Sequence, residues 1–167
     1  MAGRPAAVPG NGVRPALPDE AEELTRLCVR SKAHWGYDAD FMRLSRPSLT
    51  VTPAMIAEHR VLVAGDADAG VLGVASLDAL PDEAGYDLAL MFVAPEAMGR
   101  GIGRRLFDGV VGWLRARGAR RLEILADPNA APFYERMGAV RIGDAPSDTI
   151  PGRRLPLYEY RLPPEGD

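Results

Sequence analysis

Leu88-Ala-Leu-Met-Phe-Val-Ala-Pro-Glu-Ala-Met-Gly-Arg-Gly-Ile-Gly-Arg-Arg-Leu106 reads as an apolar strand, a proline stop, a glycine-rich turn and the start of a helix. Pro95 has no N–H to give a sheet ladder, so the strand should end there. Gly99, Gly101 and Gly103 let the backbone turn with positive φ and leave no Cβ between it and a ligand. The first amides of the helix behind them lack carbonyl partners, and Arg100, Arg104 and Arg105 add full charges beside that positive dipole end. This is the layout of a cradle for phosphate or pyrophosphate. Hydrogen bonds to a charged group contribute about 1.5–3 kcal/mol each, so three or four donors hold such a group firmly.

The spacing excludes two commoner cradles. A P-loop ends in Gly-Lys-Ser/Thr, whereas this stretch offers Gly103-Arg104-Arg105. In a dinucleotide fingerprint counted from Gly99 and Gly101, the third glycine would fall at Arg104, too bulky for close contact between helix and strand.

The rest of the chain sets limits on what the cradle serves. With 167 residues there is enough interior for one domain, expected over residues 13–167 behind a flexible leader at 1–12 rich in Ala, Gly and Pro. Twenty Lys and Arg against 23 Asp and Glu leave a net charge of −3, which draws neither nucleic acid nor an anionic membrane. The longest apolar run, Leu88 to Pro95, is too short to span a bilayer, and Met1 to Asn11 lacks the apolar segment of a secretion signal. A cytoplasmic protein is expected. The single cysteine, Cys28, forms no internal disulfide and reads as a buried filler rather than a reactive thiol; His34 and His59 have no ligand-spaced neighbours, so no metal is expected.

In chain order, a short strand at Val13 to Ala16 precedes a helix from Pro18 to near Ala33, with Leu24, Leu27, Cys28 and Ser31 on its inner face. His34-Trp35-Gly36-Tyr37 follows as a connection, then a short helix from Pro53 to Glu58. Arg60 to Ala64 and Val71 to Leu77 form a hairpin, and Tyr86 to Val93 is the third strand of that meander. The helix after the glycine turn carries Ile102, Leu106, Val110, Trp113 and Leu114 on one stripe, and close packing against a neighbouring backbone would explain Gly109 and Gly112 within it. Arg121 to Ala126 is a strand parallel to Tyr86–Val93, reached by a right-handed crossover. Asn129 is placed to cap the next helix, Gly138 ends it, and Ala139 to Gly143 and Leu155 to Leu162 close the chain as an antiparallel ribbon across the loop Asp144 to Arg154.

Two motifs carry a family resemblance. Val93-Ala94-Pro95 followed by Met98-Gly99-Arg100-Gly101-Ile102-Gly103 resembles the Val-x-Pro strand end and the Gln/Arg-x-x-Gly-x-Gly/Ala coenzyme loop of the Gcn5-related N-acetyltransferases (GNAT), with Met98 where Gln or Arg is usual. Asp127-Pro-Asn-Ala-Ala-Pro-Phe-Tyr-Glu-Arg-Met-Gly-Ala139 resembles that family's Asn-x-x-Ala-x-x-Phe-Tyr-x-x-x-Gly-Phe, read with tighter spacing between Asn129 and Tyr134 and with Ala139 for the final aromatic. The resemblance covers Tyr86 to Gly143; residues 13 to 60 match only in the order of elements.

The resemblance implies an α+β fold of the GNAT acyl-CoA N-acyltransferase type, a mostly antiparallel sheet whose central parallel strand pair is splayed apart, flanked by about four helices. It implies acetyl-CoA as co-substrate, its thioester held in that gap by backbone groups of Met91, Phe92 and Val93, its pyrophosphate on residues 99 to 104, and Asn129 among the coenzyme contacts. An amine then attacks directly, and holding both reactants together supplies about 7–11 kcal/mol of the barrier reduction. A strand N–H can steady the oxyanion. Asp87, on the third meander strand, is the first choice of proton acceptor and Glu123 the second; both also read as solvated sheet-edge carboxylates. Tyr134 is the implied proton donor to the leaving thiolate, against a plain packing role. Trp35 and Tyr37 either cap the edge of the core or line the acceptor pocket. The function expected is acetyl transfer to a primary amine of a small molecule or peptide; the alternative is a non-catalytic coenzyme A or nucleotide-binding regulatory module. Glu58, Asp78, Glu83 and Asp87 are acidic groups that can attract a cation, and exposed sheet edges make a homodimer an expectation.

Overall fold

The structure, a computed structural model, describes residues 12–66, 68–82 and 84–163. Apart from Gly12 the expected leader lies outside the described residues, as does Glu83. The strands are β1 (Val13–Pro15), β2 (Val61–Asp66), β3 (Gly70–Ala79), β4 (Gly85–Val93), β5 (Arg121–Leu125), β6 (Val140–Pro146) and β7 (Arg154–Arg161). The helices are α1 (Ala21–Ala33), α2 (Ala39–Ser45), α3 (Pro53–Ala57), α4 (Ile102–Ala116) and α5 (Ala131–Arg136), with 3-10 turns at Pro18–Glu20, Arg46–Leu49 and Pro95–Ala97.

All seven strands join one sheet in the order β1-β2-β3-β4-β5-β7-β6. Every neighbouring pair is antiparallel except β4 and β5, which the α4 crossover makes parallel. The terminal ribbon forms as the residues suggested, but β7 slides in between β5 and β6. That leaves β6 as an edge strand, with Val140 and Ile142 exposed. Among the described residues no helix is long and apolar enough to cross a membrane.

Local chemistry explains most element ends. Ala94 N–H still reaches Leu72 O at 2.8 Å, and Pro95 then stops the strand. Residues 39–49 hold a helix and a 3-10 turn that apolar periodicity does not announce: Asp38, in an extended conformation, accepts the Phe41 N–H at 2.8 Å and starts α2. Asn129 does not cap α5. Ala130 precedes that helix with no side-chain cap, while Asp127 Oδ1 accepts the Asn129 N–H at 2.8 Å in a local turn.

Helix α4 buries Ile102, Leu106, Phe107, Val110 and Leu114 against β1, β2 and β3. Leu24, Leu27, Cys28 and Ser31 are buried on α1. Burial pushes the Cys28 thiol up to about 12, which suits a packing residue. Trp113 packs partly buried at the edge of the core: it stands edge-on to Tyr86 with centroids 4.9 Å apart, donates to His59 O at 3.2 Å and carries the Arg117 guanidinium over its face.

The two glycines within α4 differ. A Cβ on Gly109 would sit 2.7 Å from Val13 Cγ1, so this glycine is what lets β1 lie against the helix. Gly112 has nothing within 4 Å of such a Cβ, and the expected close packing is absent there. Gly109→Ala should therefore destabilise the protein by about 1–3 kcal/mol through overpacking, whereas Gly112→Ala should stabilise it by about 0.5–1 kcal/mol through helix propensity. Urea unfolding of the two variants checks this; equal shifts would contradict the packing account.

Candidate active site

The parallel pairing of β4 and β5 stops almost as soon as it begins. Gly85 pairs with Arg121, Tyr86 with Leu122 and Asp87 with Glu123, after which β4 runs on to Val93 and β5 to Leu125 without further partners in each other. The cause lies on the other side of β4. Ser76 pairs with Leu90 while Leu77 pairs with Leu88, so Ala89 is an extra residue and β4 bulges there. A bulge sharpens twist and bends its strand, here away from β5 just past Asp87. In the antiparallel ladder with β3, alternate residues of β4 turn their N–H and C=O groups away from β3, and past the bulge those groups face a gap instead of a strand.

The gap opens into a cavity of about 1050 Å³. Its walls are β4 from Asp87 to Val93, the end of β5 from Glu123 and the residues after it to Asp127, the turn leading into α4, Asn129 before α5, Tyr134 on α5, Trp35 after α1, and the loop between β6 and β7. Arg100 and Tyr37 do not line it.

At the wide end lies the glycine turn. Gly99 and Gly101 hold φ of +79° and +81°, conformations that favour glycine. Gly103 has no such need. It is helical, and a Cβ there would meet the Phe133 ring at 3.2 Å, so its role is close packing. The cradle is also narrower than the sequence suggested: Met98 N–H already donates to Pro95 O at 3.3 Å and Arg100 N–H to Ala97 O at 3.2 Å. The first helical bond of α4 runs from Arg105 N–H to Gly101 O at 3.1 Å, so the amides of Ile102, Gly103 and Arg104 precede it with no carbonyl to meet inside the helix. Those three residues line the cavity, and Arg104 brings its charge with them. Arg105 turns the other way, toward Gly12.

At the narrow end carboxylates gather. Asp78, Asp87 and Glu123 are directly opposite one another on β3, β4 and β5, so their side chains share one face of the sheet. Asp78 is paired with Arg60, and Glu123 lies 3.6 Å from Arg121. Among the described residues the Asp87 carboxylate meets no side-chain hydrogen bond and no ion pair, although its backbone belongs to the sheet. Burial, reinforced by Asp78, Asp148 and Glu123, pushes its carboxyl up to about 6. Tyr134 is 6% exposed and packs against the rings of Phe107 and Phe133. Burial, with the Asp127 charge behind it, drives the Tyr134 phenol well above its ordinary range and keeps it protonated.

Of the two places expected for Tyr37, the cavity lining is not where it stands. Its hydroxyl donates to Asp127 Oδ2 at 2.8 Å and its ring stacks on Phe41 at 4.0 Å. Asn129 lines the cavity, but its Nδ2 already donates to Tyr37 Oη and Asp127 Oδ1 at 3.1 and 3.0 Å. Asp127, absent from the expected site residues, is where these contacts meet. Burial alone would raise its pKa, yet hydrogen bonds from Lys32, the Asn129 amide and Tyr37 hold it below the ordinary carboxylate range. The signal was in the spacing. Counted back from Tyr134, the asparagine of the GNAT hallmark falls at Asp127, and Ala130, Phe133, Tyr134 and Gly138 then stand in register without any tightening.

Comparison with known proteins bears on the whole of this arrangement. The acetyltransferase (GNAT) domain family matches residues 57–138. Mycothiol acetyltransferase of Beutenbergia cavernae is 38% identical over 80 residues, which are 46% of this chain and 27% of that protein. The chain thus spans about a quarter of the length of that curated relative. A Gcn5-related N-acetyltransferase from Rhodopseudomonas palustris shares the fold with a TM-score of 0.72 at 24% identity, over 97% of this chain and 98% of that one. An acetyltransferase from Salmonella typhimurium, solved with its cofactor acetyl-CoA, superposes with a TM-score of 0.66 at 18% identity, over 93% of this chain and 95% of that one. With the parted parallel strands, the glycine turn and both motifs in place, residues 57–138 belong to the acetyltransferase (GNAT) domain family and the chain has the fold of the Gcn5-related N-acetyltransferases.

Proposed function

We propose that this protein transfers the acetyl group of acetyl-CoA to an amine of a small molecule or peptide, by direct attack inside the cavity between β4 and β5. The observation that carries the reading is the polarity of that cavity. One end offers three unbonded helix-start amides and Arg104, suited to an anionic carrier; the other offers in-register carboxylates, suited to a cationic acceptor. From Asp87 to Val93 the strand advances about 20 Å at about 3.3 Å per residue, so phosphates and reacting carbonyl sit at opposite ends of one extended arm. The acetyl-CoA bound to the Salmonella neighbour and the name of the Beutenbergia relative support the same reading.

Asp87 is the proposed proton acceptor. With its carboxyl near 6 it is mostly ionised at pH 7–8 and, lacking a partner of its own, is free to take a proton from an acceptor ammonium, directly or through one water. Glu123 stands beside it as the second choice, already 3.6 Å from Arg121. Tyr134 stays protonated and lines the cavity, which suits a donor to the departing sulfur. A strand N–H of β4 near the Ala89 bulge is the proposed donor to the carbonyl oxygen. No protein nucleophile is required. Trp35, 48% exposed on the cavity wall, is the proposed apolar contact for the acceptor.

Incubation with acetyl-CoA and a panel of amines, amino acids and peptides should release free thiol only where an acceptor is present; no transfer to any amine would remove the reading. The acidic limb of kcat/KM should fall near pH 6 and disappear in Asp87→Asn with a loss of about 10²-fold or more. Stability gives an independent check on the same group. A carboxyl raised from 3.8 to about 6 in the folded state costs stability once pH exceeds the unfolded value. Asp87→Asn should therefore gain on the wild type between pH 4 and pH 6, by at most about 3 kcal/mol, and hold that gain to pH 8. Tyr134→Phe should lower kcat about tenfold or more with little change in coenzyme affinity. Arg104→Glu should weaken coenzyme binding about tenfold or more by calorimetry, and unchanged affinity would move the phosphates elsewhere.

A further inference from the structure

Asp127 joins segments that are far apart in the chain. Its Oδ2 takes the Lys32 ammonium at 2.6 Å and the Tyr37 hydroxyl at 2.8 Å, and Arg153 Nη2 lies 3.8 Å away while donating to Tyr37 Oη at 3.1 Å. Lys32 ends α1, Tyr37 lies on the connection to α2, and Arg153 closes the loop between β6 and β7. That loop is held to itself by Ser147 N–H on Arg153 O at 2.8 Å and by Ile150 N–H on Ser147 Oγ at 3.1 Å, so an anchor at Arg153 anchors all of it. The guanidinium also rests on the Tyr37–Phe41 stack, 4.9 Å from the Phe41 centroid. Lys32, Trp35, Asp148 and Arg153 all line the cavity, and the charge of Asp148 reaches Asp87.

We propose that Asp127 is a positioning residue: its carboxylate clamps the end of α1, the Tyr37 connection and the β6–β7 loop to the end of β5, fixing the wall against which the acceptor docks. Its kinetic consequence rests on the transferase reading; the clamp itself does not. The need is for charge as well as hydrogen bonds. Lys32 and Arg153 converge on one carboxylate, with side chains 13% and 21% exposed against 15% for Asp127. An asparagine would keep acceptor and donor atoms in place but leave two like charges facing each other with no anion between them.

The test uses a feature of the composition. Lys32 is the only lysine in the chain, so amine acetylation by an N-hydroxysuccinimide ester, read at the peptide containing residue 32, reports on the clamp without any need for enzymatic transfer. Asp127→Asn should raise the labelling rate of Lys32 about tenfold or more and raise the acceptor KM about tenfold, with the acetyl-CoA KM within about twofold of wild type. Asp127→Glu should recover part of both effects. Lys32→Met should raise the acceptor KM in the same direction, and the double variant Lys32→Met/Asp127→Asn should fall no further than the worse single variant, because the two side chains act as one unit. Unchanged labelling in Asp127→Asn would overturn the proposal, as would KM losses that multiply in the double variant. If the wild type transfers acetyl to no amine, the transferase reading fails and the labelling still decides the clamp.

Discussion

The short parallel pairing between β4 and β5 is the constraint on which the rest depends. A sheet left open in its middle exposes backbone donors and acceptors that pairing would otherwise satisfy, and leaving them unmet inside a protein is costly. The chain confines the opening to the stretch past Asp87 and Glu123, where the Ala89 bulge bends β4 away. Around that stretch the fold is conventional: β1, β2 and β3 continue the sheet on one side, β7 and β6 on the other, and α4 seals one face with Leu106, Phe107, Val110 and Leu114. The surrounding core holds the two strands apart, so the cleft is a property of the whole sheet.

A net charge of −3 conceals how unevenly charge is placed. Arginine and helix-start amides stand at the wide end of the cavity, and carboxylates from three adjacent strands stand at the narrow end. At the narrow end burial comes first and the charges of Asp78, Asp148 and Glu123 add to it, which together raise the carboxyl of Asp87. Ligands of opposite sign suit the two ends. Asp127 gathers Lys32, Tyr37 and Arg153 and closes one wall around a single carboxylate.

Several residues acquired a meaning that spacing alone did not supply. Gly103 belongs to a glycine-rich run and looks like part of a positive-φ turn, yet it is helical and makes room for Phe133. Gly109 and Gly112 look alike in one helix, but only the first touches a neighbour, since only that side of α4 faces Val13. Tyr37 and Trp35 flank the same glycine; the tyrosine turns to Asp127 while the tryptophan remains on the cavity wall. In each case the deciding contact comes from a residue distant in sequence, which periodicity does not report.

Much was nonetheless fixed by the order of residues. The strand, Pro95 and the glycine turn define a helix start with open amides because those rules act over a few neighbouring residues. The meander, the crossover and the closing ribbon follow from the alternation of apolar and polar positions, and the two motifs point to the acyltransferase family. Tertiary structure alone decided the bulge at Ala89, the insertion of β7 beside β5, the alignment of Asp78, Asp87 and Glu123, and the convergence on Asp127. Register and long-range ion pairs depend on which surfaces meet once the chain has collapsed, and a carboxylate takes its pKa from neighbours that only the folded sheet brings within reach.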